Sequence, residues 1–427
     1  MKWSIYNELV KDENKNCMFL FNPLRGKYFI LDSKLNELIT KGIDNVCVIE
    51  DNHPDLYNRL VLEEFLIPDN LDEMDECVKL LSHKYASISN LRITINPTLD
   101  CNLRCWYCYE SHIKGSVMSS EIQDAVIRFV EKQAHSEELD QIHLSFFGGE
   151  PLLKYEAVVK PIVKRCIEIC KAYNKHFLLS FTTNGVCLTP SVTDELLDMG
   201  ASFSIQVAFD GNKEIHNSVK CFANGSGCYD IVKRNLCYAI EKGTVTTIRC
   251  NYTMSNIESF IDLLKDFRDY WHYPNVRFAF HKVWQEQESK ELFEKRALIK
   301  EYINKAGIKS NINSFYGNSI SPCYADYDNN VVINYNGDVF KCTARDFKPQ
   351  HRLGHLETSG DIIYNDVYAE RKTKRLTKQC KTCRLLPICT ICFQQRVESK
   401  DGNCLKPIMR ENAADNIQKY FYDVVKN

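Results

Sequence analysis

From about residue 91 to residue 284, apolar strand-like runs alternate with helical patterns, and this rhythm restricts the fold more than any other feature. Strands are expected at Leu91–Asn96, Ile142–Phe147, Phe177–Thr182, Phe203–Phe209, Thr246–Asn251 and Val276–His281. Helices are expected between them at Ser120–Ala134, Ala157–Tyr173, Val192–Met199, Tyr229–Glu241 and Ile257–Tyr270. Strands joined through helices pack side by side in parallel, so the pattern predicts an α/β fold built on a parallel sheet. In parallel barrels the working residues gather on the loops at the C-terminal strand ends.

The loop after the first strand holds Cys101, Cys105 and Cys108 in the run CNLRCWYC. Closed zinc sites and ordinary iron–sulfur clusters take four protein ligands, and this spacing supplies three. Three thiolates can hold a [4Fe–4S] cluster and leave one iron open for chemistry. The other readings are half of a zinc site, or three small buried thiols that behave as hydrophobes. The second strand is followed by Gly148, Gly149, Glu150 and Pro151. Paired glycines let the backbone approach a ligand closely, although the same residues also suit a plain turn.

Taken together, the three-cysteine loop and the GGEP run resemble the radical S-adenosylmethionine (SAM) enzymes. The resemblance implies a partial (β/α)6 TIM-like barrel and a [4Fe–4S] cluster held by Cys101, Cys105 and Cys108. Its open iron would chelate SAM, whose reductive cleavage yields a 5′-deoxyadenosyl radical. It also implies that the Tyr107 backbone meets the adenine and that Gly148, Gly149 and Glu150 lie beside the SAM amino group. Thr182, Thr183, Asn184 and Gly185 match the TNG stretch at the third strand end. Where relatives carry SLDG…HDxxR, this chain has Ala208 for the serine and Lys220 for the arginine, with Asp210 and His216 between. Lysine keeps the charge and loses the bidentate fork. Phe147 stands where related maturases often have glutamine, and Arg249 and Asn251 are the candidates for replacement polar contacts to SAM.

Beyond the barrel lie Cys323, Cys342, Cys380, Cys383, Cys389, Cys392 and Cys404. VVINYNGDVFKC reads as a hairpin turning at Asn336 and Gly337, which would bring Cys342 back near Cys323. The array resembles the SPASM extension of enzymes that modify peptides and proteins. That resemblance implies one auxiliary [4Fe–4S] cluster on Cys380, Cys383, Cys389 and Cys404, and a second on Cys323, Cys342 and Cys392, with Cys250 as one possible added ligand. The spacing before Cys392 is one residue shorter than usual, since only Thr390 and Ile391 intervene. Paired zinc knuckles are the competing reading.

Before the barrel, Trp3–Val10, Cys17–Phe21 and Lys27–Leu31 read as strands, followed by helices at Ser33–Thr40, Asp55–Glu64 and Leu71–Lys84. This order resembles winged-helix-like modules that bind a leader peptide by adding it to a sheet edge. A packing domain or a DNA-binding winged helix would share the order. The resulting division is 1–88 for the recognition module, 89–310 for the barrel and 311–427 for the SPASM domain.

Composition narrows the partners. The 54 basic residues are balanced by 56 acidic ones, so no electrostatic nucleic-acid binder is expected. The first residues, MKWSIYNELVKDENK, contain no apolar signal core, and no apolar run is long enough for a membrane span. Of twenty cysteines, ten are grouped at metal-like spacings and ten are scattered, which suits a reducing cytoplasm. The expectation is an oxidoreductase that crosslinks a ribosomally made peptide bearing a leader, supplied with electrons by a flavodoxin or ferredoxin. The alternatives are an anaerobic sulfatase maturase and a zinc-binding regulator. Such maturases carry aspartate directly after the Cys342 position; here Thr343 follows, and Asp346 is the nearest carboxylate and the one candidate base.

Overall fold

The computed structural model describes residues 1–12, 17–287, 289–313, 322–389 and 391–398. The chain forms two compact units. One holds the described residues of Met1–Ser87, Asn313–Asp328 and Glu370–Asn427; the other holds Ile88–Ile312 and Asn329–Ala369.

The first unit opens with β1 (Lys2–Trp3), β2 (Glu8–Asp12), β3 (Cys17–Asn22) and β4 (Lys27–Leu31). Then come α1 (Ser33–Gly42), α2 (Cys47–Asn52), α3 (Pro54–Leu62), β5 (Leu66–Ile67) and α4 (Glu73–Ala86). β2, β3 and β4 form an antiparallel sheet, while β1 pairs with β5. The expected strand Trp3–Val10 is therefore two strands. Buried Ser4 breaks it, because its hydroxyl donates to Glu73 Oε1 at 2.7 Å and its carbonyl accepts from Asn7 N at 3.2 Å. The β3–β4 turn is closed by Asn22, whose Oδ1 accepts from the backbone N–H groups of Leu24 and Arg25, both at 3.0 Å. Leu20, Leu31, Ile39, Ile49, Leu60 and Phe65 fill the core between this sheet and the helices.

The second unit contains the parallel sheet. Its strands are β6 (Asn90–Ile95), β7 (Gln141–Phe146), β8 (His176–Thr183), β9 (Phe203–Phe209), β10 (Val245–Tyr252) and β11 (Val276–Lys282). They lie side by side in chain order, each parallel to the next. All six expected strands are present within two residues of their expected bounds. The helices are α5 (Ser120–Ala134), α6 (Lys160–Ala172), α7 (Pro190–Asp198), α8 (Lys213–Val219), α9 (Tyr229–Glu241), α10 (Phe260–Asp266) and α11 (Lys290–Ala306). The α/β class and the partial radical SAM barrel are those expected.

Two expected helices are subdivided. Ala157–Tyr173 appears as a 3₁₀ turn at Pro151–Lys154, a π-turn at Tyr155–Val159 and then α6. Pro161 has no N–H to continue an i→i−4 ladder, so the turn before it is wound differently. Ile257–Tyr270 likewise breaks into α10 flanked by two 3₁₀ turns.

After the barrel, β12 (Asn330–Ile333), β13 (Asp338–Phe340), β14 (Gly354–Leu356) and β15 (Ile362–Tyr364) extend the same sheet. β12 lies parallel to β6, and β13 turns back antiparallel to it through the hairpin expected at Asn336 and Gly337. Gly337 occupies the left-handed region at φ +84°. The short helices α12 (Asp366–Thr373) and α13 (Phe393–Val397) follow.

The two faces of the barrel strands differ in character. Ile93, Leu144, Leu179, Val207, Ile248 and Phe278 are buried in one continuous core with the helices. The opposite face carries polar side chains joined to each other. His143 Nε2 lies 2.8 Å from Ser180 Oγ, and Arg277 Nε donates to Thr247 Oγ1 at 2.8 Å. A parallel strand covered on both faces reads as a continuous apolar run. Here one face is apolar and helix-covered, and the other carries polar side chains.

Candidate active site at the C-terminal strand ends

Because β6 to β10 run parallel, the loops that follow them emerge at one edge of the sheet. The loop after β6 is pinned at its base. Thr98 Oγ1 donates to Ser116 O at 2.6 Å and accepts from Asp100 N at 2.9 Å. Asp100 accepts from Cys101 N and Gly115 N, both at 2.9 Å. These bonds fix the backbone from which Cys101, Cys105 and Cys108 project.

The GGEP turn locks onto that backbone. Gly149 N donates to Thr98 O at 3.1 Å, and Glu150 N donates to Asp100 O at 2.8 Å. A Cβ on Gly148 would lie 2.5 Å from Thr98 O, and one on Gly149 only 2.2 Å from Asp100 O. What approaches the two glycines is therefore the chain's own cysteine loop. Glu150 is fully buried, and its carboxylate accepts from Thr183 Oγ1 and Asn184 N at 2.7 Å and from Leu152 N at 3.0 Å. Its side chain ties the turn after β7 to the TNG stretch after β8. Phe147 packs with Leu99, Val332, Phe340 and Phe347.

Polar groups converge on the sulfurs. Asn184 Nδ2 donates to Cys101 Sγ at 3.7 Å and to Asn102 Oδ1 at 2.7 Å. Lys220 Nζ donates to Cys105 Sγ at 3.7 Å, and Cys108 Sγ lies 3.5 Å from His112 Nε2. Burial pushes the Cys101 thiol up to about 12, so that sulfur stays protonated unless a cation replaces the proton. Three free, soft donors on one pinned loop, two of them also receiving N–H bonds, suit a cluster that retains negative charge on its sulfurs. Among the described residues no group of three His, Cys, Asp or Glu side chains is gathered as a single metal ion requires.

Beside the sulfurs runs a hydrogen-bonded chain. Tyr107 OH donates to Asp210 Oδ1 at 2.8 Å and accepts from Asn251 Nδ2 at 3.1 Å. Arg249 Nε donates to Asn251 Oδ1 at 2.8 Å. The Lys220 ammonium lies 3.6 Å from Asp210 Oδ2 and over the Tyr107 ring. Burial opposes the lysine charge, but Tyr107, Asp210 and Cys105 outweigh it and hold Lys220 protonated well above its ordinary range. Tyr107, Lys220, Arg249 and Asn251 thus meet in one network. Ala208, on the same strand face as Gln206, adds no polar group to it.

Asn184 and Asp210 were legible within motifs without a part of their own; Asn184 donates to the Cys101 sulfur, and Asp210 pairs with Lys220 and Tyr107. Glu110 went unremarked. Both its carboxylate oxygens are buried without a hydrogen-bond partner, and burial, with Asp346 nearby, pushes it up to about 9. Asp346 pairs with Lys348 and His351; burial opposes these partners, yet they hold it below the usual carboxylate range.

The later cysteines fall in both units. Cys323 and Cys392 share a hydrogen bond between their sulfurs, which drives Cys392 down. Asp326, accepting from Phe393 N at 3.1 Å and pairing with Arg371 at 3.5 Å, joins the two segments that carry them. Cys380 and Cys383 pack with Tyr6 and Cys77, and Arg396 Nη2 reaches Cys389 Sγ at 4.0 Å. Cys342 belongs to the barrel unit, where its sulfur accepts from Ala344 N at 3.3 Å. Cys404 lies outside the described residues. Cys250, raised as a possible added ligand, is fully buried on β10 within the hydrophobic core of the barrel unit.

Known proteins with these features agree on the family. Residues 95–270 match the radical SAM superfamily, and residues 320–384 match the SPASM iron–sulfur cluster-binding domain. The chain is 22% identical over 343 residues to a cysteine-type anaerobic sulfatase-maturating enzyme of Clostridium novyi, covering 71% of this chain and 87% of that protein. It is 22% identical over 312 residues to the radical SAM cyclopropyl synthase TigE of Paramaledivibacter caminithermalis, covering 61% of this chain and 63% of that one. In fold it resembles anSMEcpe with bound AdoMet at TM-score 0.59 and 18% identity, covering 79% of this chain and 98% of that one. It also resembles Streptococcus suis SuiB bound to S-adenosylmethionine at TM-score 0.52 and 17% identity, covering 94% and 97%. The cofactors are accordingly a [4Fe–4S] cluster with SAM in the barrel and iron–sulfur clusters in the SPASM domain. A zinc-binding regulator is set aside. A parallel sheet whose C-terminal edge presents a three-thiol loop, braced by GGEP and matched across both domains, makes this chain a radical SAM enzyme with a SPASM domain.

Proposed function

We propose that the chain crosslinks a ribosomally made peptide, forming a thioether or carbon–carbon bond. The observation that carries this reading is the union, at one sheet edge, of three thiols, a pinned glycine turn and the cationic network around Tyr107. When bound, the cluster and SAM supply a 5′-deoxyadenosyl radical that takes a hydrogen atom from the substrate. The chain's own residues bind, orient and exclude water. In this reading Cys101, Cys105 and Cys108 hold the barrel cluster. The Tyr107, Gly148 and Gly149 backbone, braced by Glu150, lies along SAM together with Lys220, Arg249 and Asn251. Cys380, Cys383, Cys389 and Cys404 hold one auxiliary [4Fe–4S] cluster, and Cys323, Cys342 and Cys392 the other. A flavodoxin or ferredoxin in the cytoplasm delivers the electron.

A peptide substrate is supported by relatives: SuiB has been solved bound to its precursor peptide SuiA, and anSMEcpe with the Cp18Cys peptide. It is supported also by exposed aromatic surface next to the cysteine loop. Trp106 is 62% exposed, and Tyr109 stacks against exposed Trp284. For the leader we assign the winged-helix-like module at 1–88. Next to β2, the outer strand of its sheet, the unit that contains this module has a cavity of about 620 Å³ lined by Trp3, Ile5, Leu9, Ile43, Met74 and Arg384. No helix of the described residues is long and apolar enough to cross a membrane.

Formylglycine formation on a sulfatase is the second reading, favoured by similarity to most of the Clostridium novyi enzyme. Product mass separates the two. A crosslink removes two hydrogens and keeps every sulfur; conversion of cysteine to formylglycine expels the sulfur. Anaerobic reconstitution should yield roughly twelve irons per chain, from three four-iron clusters, and reductive cleavage of SAM. Cys101→Ala should abolish that cleavage while auxiliary iron stays bound. Unchanged cleavage would overturn the ligand assignment.

A further inference from the structure

Lys220 follows α8 and is 5% exposed, so its ammonium sits in a nearly water-free setting. A buried charge costs several kcal/mol unless it is paired. Its counter-ion is Asp210, equally buried, at 3.6 Å. At that separation the two form an ion pair, and Nζ also donates to Cys105 Sγ at 3.7 Å. Asp210 is held in turn by the Tyr107 hydroxyl at 2.8 Å, and its backbone carbonyl accepts from Asn256 Nδ2 at 3.0 Å. The lysine main chain is anchored as well. Its N–H donates to His216 O at 2.7 Å, and its carbonyl accepts from Cys228 Sγ at 3.4 Å. These contacts hold the ammonium between the Asp210 carboxylate and the Cys105 sulfur.

We propose that Lys220 is a positioning residue that sets the reduction potential of the barrel cluster through Cys105, with Asp210 and Tyr107 aiming it. The proposal rests on the ligand assignment given above. Reduction adds an electron to a cluster whose charge spreads onto its sulfurs. A cation and an N–H···S bond at a ligating sulfur stabilise the reduced form and raise the potential. A lysine lacks the planar fork that grips a carboxylate at two points. A point charge turned to sulfur is the use this geometry favours.

The test is a potentiometric titration followed by electron paramagnetic resonance on reconstituted full-length Lys220→Met, Lys220→Gln and Lys220→Arg. The signal that SAM perturbs identifies the barrel cluster among the others. In Lys220→Met the midpoint should become more negative by at least a tenfold change in the reduced-to-oxidised ratio, about 59 mV for one electron. Lys220→Arg should stay near wild type, and Lys220→Gln should fall between. An unchanged midpoint in Lys220→Met overturns the proposal. So does weakened SAM binding at constant potential, which would leave the lysine a SAM contact alone. Loss of the barrel cluster from both Met and Gln variants, with auxiliary iron retained, would leave a purely structural lysine and also overturn it. If wild-type protein shows no SAM-perturbed signal, the ligand assignment fails first, before any variant is compared.

Discussion

At Gly149 a single added carbon would land 2.2 Å from the carbonyl oxygen of Asp100. Backbone cannot swing aside as a flexible side chain can, so the cysteine loop would have to move. Gly149→Ala should therefore destabilise the cluster-free protein by about 1–3 kcal/mol, the usual cost of overpacking. It should also lower barrel iron, read by denaturant unfolding and by iron analysis; wild-type values on both would refute the account. The sequence identified the right residues here with an incomplete reason. Gly148 and Gly149 read as a close approach to a ligand, and the fold shows a close approach of its own, to Thr98–Asp100 of the same chain. Glu150 was legible as a motif member, whereas its bonds to Thr183 and Asn184 were not. Those partners lie on another strand end, and only folding brings them within reach. Asn184 and Lys220 likewise acquire their meaning from Cys101 and Cys105, far away in the chain.

At the scale of elements, the barrel strands were legible because six apolar strand-like runs alternate with five helical segments. Helix ends were less so. α1 starts at Asp32, whose carboxylate accepts from Leu35 N at 2.8 Å. Asp32→Ala should cost roughly 1 kcal/mol, the typical worth of an N-cap, measured as a lower denaturation midpoint; Asp32→Ser should restore most of it. α11 lay beyond the sequence reading, although its buried Leu292, Ile299 and Ile303 fall on one face and Gly307 closes it in the left-handed region. The short α8 is held by an Asn212 cap and by buried His216, contacts with no strong periodic signal. The broken helix before α6 was signalled by Pro161, and that signal was available.

Across the whole molecule, three histidines in the barrel unit are held neutral. Burial, aided by Arg92, lowers His143 to about 4; burial, aided by Arg249 and Arg277, lowers His281 to about 4; burial, aided by Lys220, lowers His216 to about 3. In the unfolded chain each takes up a proton near pH 6.5. Above that pH neither state is protonated and no stability is lost. As pH falls from about 6.5 toward 4, the unfolded chain binds protons that the folded one refuses, so stability declines through that window. Unfolding of the cluster-free protein followed from pH 7.5 to 4.5 should show this decline. His143→Gln, which can still bond Ser180, should flatten part of it; an unaltered slope would show that another group is responsible.

What the sequence determined by itself was local: strand and helix periods, the spacing of sulfurs on single loops, and a hairpin at Gly337. These rest on interactions within a few residues. The tertiary structure decided what distant segments do together. It placed β12 beside β6, closed the GGEP turn onto the cysteine loop, sent Cys250 into the core and aimed Lys220 at a sulfur. Each depends on packing between residues far apart in the chain, where the desolvation of a charge or the clash of a single carbon selects the partner, and no local pattern records it.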